Sequence, residues 1–101
     1  MEHDINLNIH YTIPKDLWEK VVEVFHSMPY WSGNDCNADV MWTDDDIELY
    51  YSVEPGGIQI TGQMPYEIWR KWYPDLKRKL TDVLGYEIGE PEEGYDFKYW
   101  D

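Results

Sequence analysis

The chain has little cysteine, little positive charge and no long apolar run. Its single cysteine, Cys36, cannot form an internal disulfide, and short secreted domains generally carry several, so a reducing compartment is favoured. The first four residues are polar and lack the basic and apolar regions of a secretion signal. No apolar stretch approaches the roughly 20 residues that cross a bilayer. We therefore expect a cytoplasmic protein with no membrane-spanning segment.

Positive charge is scarce and unevenly placed. Eight Lys and Arg residues face 21 Asp and Glu residues, which gives a formal net charge of −13. No Lys or Arg occurs from Val21 to Trp69, and five of the eight lie between Arg70 and Lys79. Such a charge repels nucleic acid and anionic membranes and attracts basic partners. The alternative, that the acidity only keeps the protein soluble, remains open at this point.

The length predicts a single domain spanning residues 1–101. Apolar residues alternate with polar ones over residues 5–11, which predicts a half-buried strand. Apolar residues then recur at helical spacing over residues 14–28, between Pro14 and Pro29, and predict a helix. Residues 30–39 are rich in turn-forming side chains and predict a loop, before a short strand at residues 40–42 and an acidic turn at 44–46.

The middle of the chain has the clearest pattern. Residues 47–54 and 58–63 both alternate, and Glu54-Pro55-Gly56-Gly57 joins them, which predicts a β-hairpin. A second helix begins at Pro65 and ends at Gly85, with a kink or a restart expected at Pro74. Two short strands are predicted in the tail, at residues 86–88 and 95–99.

The predicted order is β-α-β-β-β-α-β. It indicates an α+β fold, a two-layer sandwich in which a mainly antiparallel sheet carries both helices on one face. The opposite face would be polar and aromatic, with Asn6, Asn8, His10, Glu48, Tyr50, Ser52, Gln59, Thr61, Asp96, Lys98 and Trp100. That face is the candidate binding surface.

The sequence shows no recognisable catalytic motif. Cys36 lies among acids that do not lower a thiol pKa, and His3, His10 and His26 do not have zinc-ligand spacing. Gly56-Gly57 closes a hairpin and does not open a helix, as a phosphate loop would. We therefore expect no enzymatic activity, no cofactor and no metal, although a small enzyme with a carboxylate-lined pocket remains an alternative.

One stretch has the ligand spacing of a calcium loop. Asp35, Asn37, Asp39 and Asp46 fall at the required intervals. Val40 stands where such a loop needs glycine, and the flanking segments are not two helices. A solvated acidic turn is the preferred interpretation.

The six tryptophans divide into two groups. Trp18, Trp69 and Trp72 lie in helical apolar stripes and are expected in the core. Trp31, Trp42 and Trp100 lie in a loop, beside an acidic turn and on the last predicted strand. Tryptophan and tyrosine dominate the energetic centres of protein interfaces, so these three are candidate anchors.

The stretch from Asp46 to Trp100, above all residues 47–57 and 85–94, resembles the small acidic immunity proteins of bacterial contact-dependent inhibition and polymorphic toxin systems. The likeness lies in size, acidity, aromatic content and the hairpin-helix-acidic tail arrangement, and it carries over no site residues. It implies a one-to-one complex with a cognate toxin, often a nuclease whose basic cleft an acidic surface would occupy.

The leading hypothesis is therefore an immunity protein that binds and neutralises a basic toxin domain. The alternatives are another acidic inhibitor that mimics nucleic acid, and a structural module that dimerises through its sheet face, with a monomer slightly favoured. The candidate partner-binding residues are Trp31, Asp39, Trp42, Asp44, Asp45, Asp46, Glu48, Tyr50, Glu92, Glu93, Asp96 and Trp100.

Overall fold

The computed structural model describes residues 1–32 and 42–100. In chain order the elements are β1 (Glu2–Leu7), α1 (Lys15–Ser27), β2 (Trp42–Asp44), β3 (Ile47–Glu54), β4 (Gly57–Gln63), α2 (Tyr66–Leu84) and a 3-10 turn (Pro91–Glu93). The strands form one antiparallel sheet in the order β1-β4-β3-β2. The α+β class and the predicted order are confirmed, with the final β segment reduced to an isolated bridge between Ile9 and Lys98.

Both helices pack on one face of the sheet. From α1, Phe25 contacts the rings of Trp42 and Tyr51, and from α2, Trp72 contacts Trp42 while Trp69 stacks on His3. These strand residues share a face with the buried Leu7, Leu49, Ile58 and Ile60 because paired residues of antiparallel strands point the same way. The core therefore lies between the helices and this side of the sheet.

The helices follow the predicted ranges closely. Helix α1 begins after Pro14 and ends at Ser27, with Met28 as its C-cap directly before Pro29. Helix α2 begins after Pro65 and ends at Leu84, and the C-cap Gly85 adopts the left-handed conformation at φ 80°. Of the two alternatives expected at Pro74, a kink or a restart, the restart is wrong: one helix continues through this residue, and Tyr73 and Leu76 on either side are both buried in the same core.

The hairpin of β3 and β4 has the predicted strands and turn. Its register is continuous from Glu48 paired with Gln63 to Glu54 paired with Gly57. Gly57 has φ 119°, and a Cβ there would collide with the carbonyl of Leu7. The turn therefore needs glycine at this position, since only glycine adopts that conformation readily.

The first strand ends earlier than predicted, at Leu7 instead of residue 11, because Asn8 leaves the sheet and binds the tail. Asn8 is fully buried, so its expected place on the exposed sheet face is wrong. Its Nδ2 donates to the carbonyls of Glu87 (3.0 Å) and Asp96 (2.7 Å), and its Oδ1 accepts the N–H of Gly89 (2.8 Å).

These bonds replace the strand predicted at residues 86–88. The backbone N–H of Asn8 also donates to the carbonyl of Gly89 (3.0 Å), and the hydroxyl of Tyr86 donates to the carbonyl of Asn8 (2.8 Å). Burial raises the pKa of Tyr86 to about 12. The tail, residues 86–100, is thus held by hydrogen bonds to the side chain and the backbone of Asn8.

Candidate partner-binding surface

The sheet face away from the helices is polar and forms regular cross-strand rows. The register sets Glu2, Gln63 and Glu48 side by side, then Asp4, Thr61 and Tyr50. A third row contains Asn6, Gln59 and Ser52. We call these residues, together with Thr43 beside Glu48, the open face. Six of the residues that the sequence placed on the exposed face are here: Asn6, Glu48, Tyr50, Ser52, Gln59 and Thr61.

The first two rows enclose a shallow depression of about 460 Å³. Its sides are formed by Glu2 and Asp4 on β1 and by Glu48 and Tyr50 on β3. The central strand between them contributes Thr61 and Gln63. Two acidic walls therefore face each other across a strand that carries no charge.

The depression continues at both ends. Towards the β2–β3 turn it adjoins a second one of about 370 Å³, which shares Glu48 and Gln63 and adds Asp45 and Asp46. Beyond Asp4, at the outer side of β1, a third of about 110 Å³ adds Glu90 and Glu92. We call the three together the acidic groove. Its carboxylates are Glu2, Asp4, Asp45, Asp46, Glu48, Glu90 and Glu92.

Two of these carboxylates are held by neutral neighbours. Asp4 accepts a hydrogen bond from the side-chain amide of Gln59 (2.8 Å). Glu90 accepts one from the hydroxyl of Tyr73 (3.0 Å). Burial raises the pKa of Tyr73, and the negative charge of Glu90 raises it further, so this phenol stays protonated and remains a donor to Glu90.

No lysine or arginine lines the groove. Every ion pair between side chains in residues 1–32 and 42–100 lies within α2, where Arg70 pairs with Glu67, Arg78 with Asp75 and Asp82, and Lys79 with Asp75. The strands carry no lysine or arginine. Among the described residues, the negative charge of the groove is thus not compensated by any lysine or arginine in its lining.

Trp42 is not part of this surface, and its assignment as an anchor is wrong. It is fully buried, and its Nε1–H donates to the carbonyl of Phe25 (3.1 Å). The first residue of β2 points toward the helices because it pairs with Leu49, which is also buried. Trp69 and Trp72 are buried and Trp18 packs against the core, as expected.

Trp31 and Trp100 are half-buried and lie outside the groove. The ring of Trp31 packs on His26 (4.3 Å between centroids) and against Trp42 (5.6 Å). Trp100 contacts Tyr86, with the ammonium of Lys98 over its ring at 4.7 Å. Of the aromatic residues proposed as anchors, Tyr50 alone lines the groove.

The predicted acidic residues also fall into two groups, those that line the groove and those that do not. Asp45, Asp46, Glu48 and Glu92 line the groove. Asp44 is exposed but pairs with Ile47, which places it on the helix side of the sheet. The exposed Glu93 and Asp96 lie in the tail, next to the groove in sequence but not in its lining.

Asp39 lies outside the described residues, as do three of the four positions with calcium-loop spacing, residues 35, 37 and 39. Among the residues that are described, no cluster of three or more His, Cys, Asp or Glu side chains could hold a metal ion. In the same part of the chain, neither helix has the length and apolarity to cross a membrane.

Glu2, Asp4 and Glu90 line the groove but were not predicted from the sequence. The signal for the first two was present, because Glu2, Asp4 and Asn6 continue the polar half of the alternation backwards from Leu7. His3 occupies the other half of that pattern: its ring stacks on Trp69 (3.8 Å), and its Nε2–H donates to the carbonyl of Met64 (3.0 Å). Glu90 has no such signal, since Asn8 sets its position.

Comparisons of the chain with protein-family models, with curated proteins and with solved structures gave no match. The site is therefore interpreted from its own geometry and charge.

Proposed function

We propose that this protein binds a basic protein through the acidic groove and that it is an immunity protein that neutralises a cognate toxin. The observation that carries the proposal is the uncompensated charge of the groove. Acids on α2 are neutralised by bases one turn away, whereas the groove collects carboxylates from β1, β3, the β2–β3 turn and the tail. A rigid surface of one sign accelerates the association of an oppositely charged partner.

The carboxylates of the groove also resemble, in charge, the phosphates that a nuclease binds. Its strand carboxylates lie on β1 and β3, which are two strand separations apart, about 9.6 Å, across β4, so a partner's Lys and Arg side chains can meet several of them together. Tyr50 adds a half-buried ring between them. We therefore propose a basic nuclease domain as the toxin, neutralised in the cytoplasm in which it would act.

The same charge disfavours the alternative of a dimerising module. A second copy docked face to face would bring Glu2, Asp4 and Glu48 against the same residues, with a net charge of −13 on each chain. A nucleic-acid mimic aimed at a host protein would use the same groove, and the identity of the captured partner separates it from an immunity protein.

The test is affinity capture from the native host, with a matched pair of charge-reversed variants. Glu2→Lys with Glu48→Lys reverses the groove, and Glu19→Lys with Glu23→Lys makes the same charge change on the exposed side of α1. We expect the wild type and the α1 variant to retain one basic protein that the groove variant loses. That protein should arrest growth when expressed alone and be harmless when this chain is co-expressed. Equal capture by both variants would exclude the groove as the binding surface.

A further inference from the structure

A cavity of about 510 Å³ lies between the end of α1 and the first half of α2, and it shares no residue with the acidic groove. Most of its lining is apolar. Met28 and Trp72 are buried, Ile68 is half-buried, and Pro29 and Tyr30 form the wall beyond α1. Small-molecule sites are typically cavities of roughly 300–1,000 Å³ with such a lining and a few polar groups. The volume and lining of this cavity therefore suit a small ligand.

The wall at Tyr30 is held in an unfavourable backbone conformation. Tyr30 has φ 76° and is the one non-glycine residue of the described chain with a positive φ, a region that bulky side chains rarely adopt. Neighbouring groups enforce it: the Nε1–H of Trp72 donates to the carbonyl of Pro29 (3.1 Å), and the N–H of Thr43 donates to that of Tyr30 (2.9 Å). Backbone strain that persists in this way is concentrated at functional sites.

The charged groups of the cavity all lie on α2. Glu67, Lys71 and Asp75 follow one another at intervals of four residues. The two acids already pair with other bases, Glu67 with Arg70 and Asp75 with Arg78. Lys71, by contrast, forms no ion pair, hydrogen bond or ring contact with residues 1–32 and 42–100. Its ammonium is therefore the charge that the cavity has left to offer a ligand.

The surrounding charge also favours an anion at this position. Helix α2 carries five Lys and Arg residues against three Asp and Glu residues, a net charge of +2. In the described part of the chain it is the one helix or strand whose charges sum to a positive value. An anion that the acidic groove would repel is thus accepted here, where each cavity acid has its own base.

We propose that this cavity binds a small molecule that has an aromatic body and a single carboxylate. The carboxylate would pair with the ammonium of Lys71, and the ring would lie against Ile68 and Trp72 with Tyr30 at its side. A charged pair fixes the orientation while the apolar contacts supply most of the buried area, as is usual in such sites. This inference is independent of the proposed function, because the cavity and the acidic groove are separate.

The test compares cinnamate with its neutral amide, cinnamamide, which has the same shape. For a ligand of about 11 non-hydrogen atoms we expect a Kd on the order of 1 mM for cinnamate. The amide should bind about fivefold less tightly, as the loss of a partly exposed ion pair implies. In NMR spectra of the labelled protein, the indole N–H of Trp72 and the amides of Ile68 and Lys71 should shift on titration. Those of Glu48 and Thr61 in the groove should not.

A matched pair of lysine variants identifies the group that meets the carboxylate. Lys71→Gln should weaken the binding of cinnamate about fivefold and leave that of cinnamamide within about twofold. Lys20→Gln makes the same charge change on the exposed side of α1 and should leave both ligands within about twofold.

A third variant tests the strained wall. Tyr30→Asn removes the ring and keeps a residue that tolerates a positive φ, so both ligands should bind about threefold less tightly. If this variant does not fold, the lysine pair still decides.

The absence of shifts at the cavity with cinnamate at about 10 mM, roughly ten times the expected Kd, overturns the site. Shifts centred on Glu48 and Thr61 overturn it as well. Equal affinity for cinnamate and cinnamamide, or unchanged affinity in Lys71→Gln, overturns the assigned ligand class. None of these results affects the capture of a basic partner by the acidic groove, which its own variants test.

Discussion

Among the described residues, acidic side chains on helix α2 form ion pairs, whereas those on the open face of the sheet do not. On α2, Glu67, Asp75 and Asp82 each lie within one turn of an arginine and pair with it. On the open face Glu2 and Glu48 flank an uncharged glutamine, and no lysine or arginine of the described residues lines the depression that they share. A need for solubility alone would not separate the charges in this way. The difference supports the proposal that the open face binds a basic partner.

The largest effect on stability is expected at Asn8, because its side-chain amide makes three hydrogen bonds to the backbone of the tail. Asn8→Ala leaves the buried N–H of Gly89 and the carbonyls of Glu87 and Asp96 without their partner. We expect a loss of about 3 kcal/mol in the free energy of unfolding, since each stranded buried group costs about 1–3 kcal/mol. Urea unfolding measures it. Asn6→Ala, on the open face, is the control and should change stability by less than about 0.5 kcal/mol.

Trp42 and Tyr50 test the division between core and surface with aromatic residues. Trp42→Phe removes the bond to the carbonyl of Phe25 and leaves a gap in the core. It should cost about 2 kcal/mol of stability, below the roughly 3–5 of a tryptophan-to-alanine change, with partner binding unchanged at temperatures where it is folded.

Tyr50→Ala should do the reverse. It should reduce affinity for the captured partner by about 2 kcal/mol while the unfolding midpoint changes little, because its ring lines the groove. Titration calorimetry and urea unfolding on the two variants give the four values needed. If Trp42→Phe weakened binding and Tyr50→Ala did not, the assignment of the two faces would be reversed.

Much of the fold follows from patterns that the sequence shows locally. The hairpin, both helix starts and the glycine after α2 rest on alternation, prolines and turn chemistry, which short segments carry by themselves. The tail could not be predicted, because it is held by one side chain from the other end of the chain. Asn8 reads as another exposed polar residue in an alternating strand until the partners at Glu87, Gly89 and Asp96 are known.

The candidate site was predictable in part for the same reason. Acidity and the polar strand faces identified Glu48, Tyr50 and the turn at Asp45 and Asp46. Trp42 was wrongly predicted to be an exposed anchor because an acidic turn follows it in sequence. Its pairing with Leu49 decides which face of the sheet its side chain lies on. Strand register, which also makes Glu2 a neighbour of Gln63, was not readable from either strand alone.

Alkaline pH should weaken the tail before the rest of the molecule. The pKa of Tyr86 is raised by burial from its ordinary 10 to about 12. Its contribution is therefore complete below pH 10 and is lost as the pH rises through about 12, since the unfolded chain releases the proton first. Tyr86→Phe should lose about 1 kcal/mol at pH 7 through the bond to Asn8. Above pH 10 its stability should fall less steeply than that of the wild type, measured by unfolding at each pH.

The smallest expected effects are two changes in stability of opposite sign. Glu48→Gln and Asp75→Asn each remove one negative charge, the first from the open face and the second from the ion pairs of α2. The hydrogen bond and charge of Arg78 lower the pKa of Asp75, so its ionised form is stabilised by folding. The Asp75 variant should therefore lose up to about 0.5 kcal/mol.

Glu48→Gln should instead gain a similar amount, because the face that it leaves holds like charges only. Chemical unfolding at low and high salt measures both variants. The two changes should converge toward zero as salt screens them. A loss of stability in Glu48→Gln would mean that the chain does compensate this carboxylate, and the contrast between helix and sheet acids would disappear. A gain would show that folding tolerates repulsion at this position, which is the behaviour expected of a surface completed by another molecule.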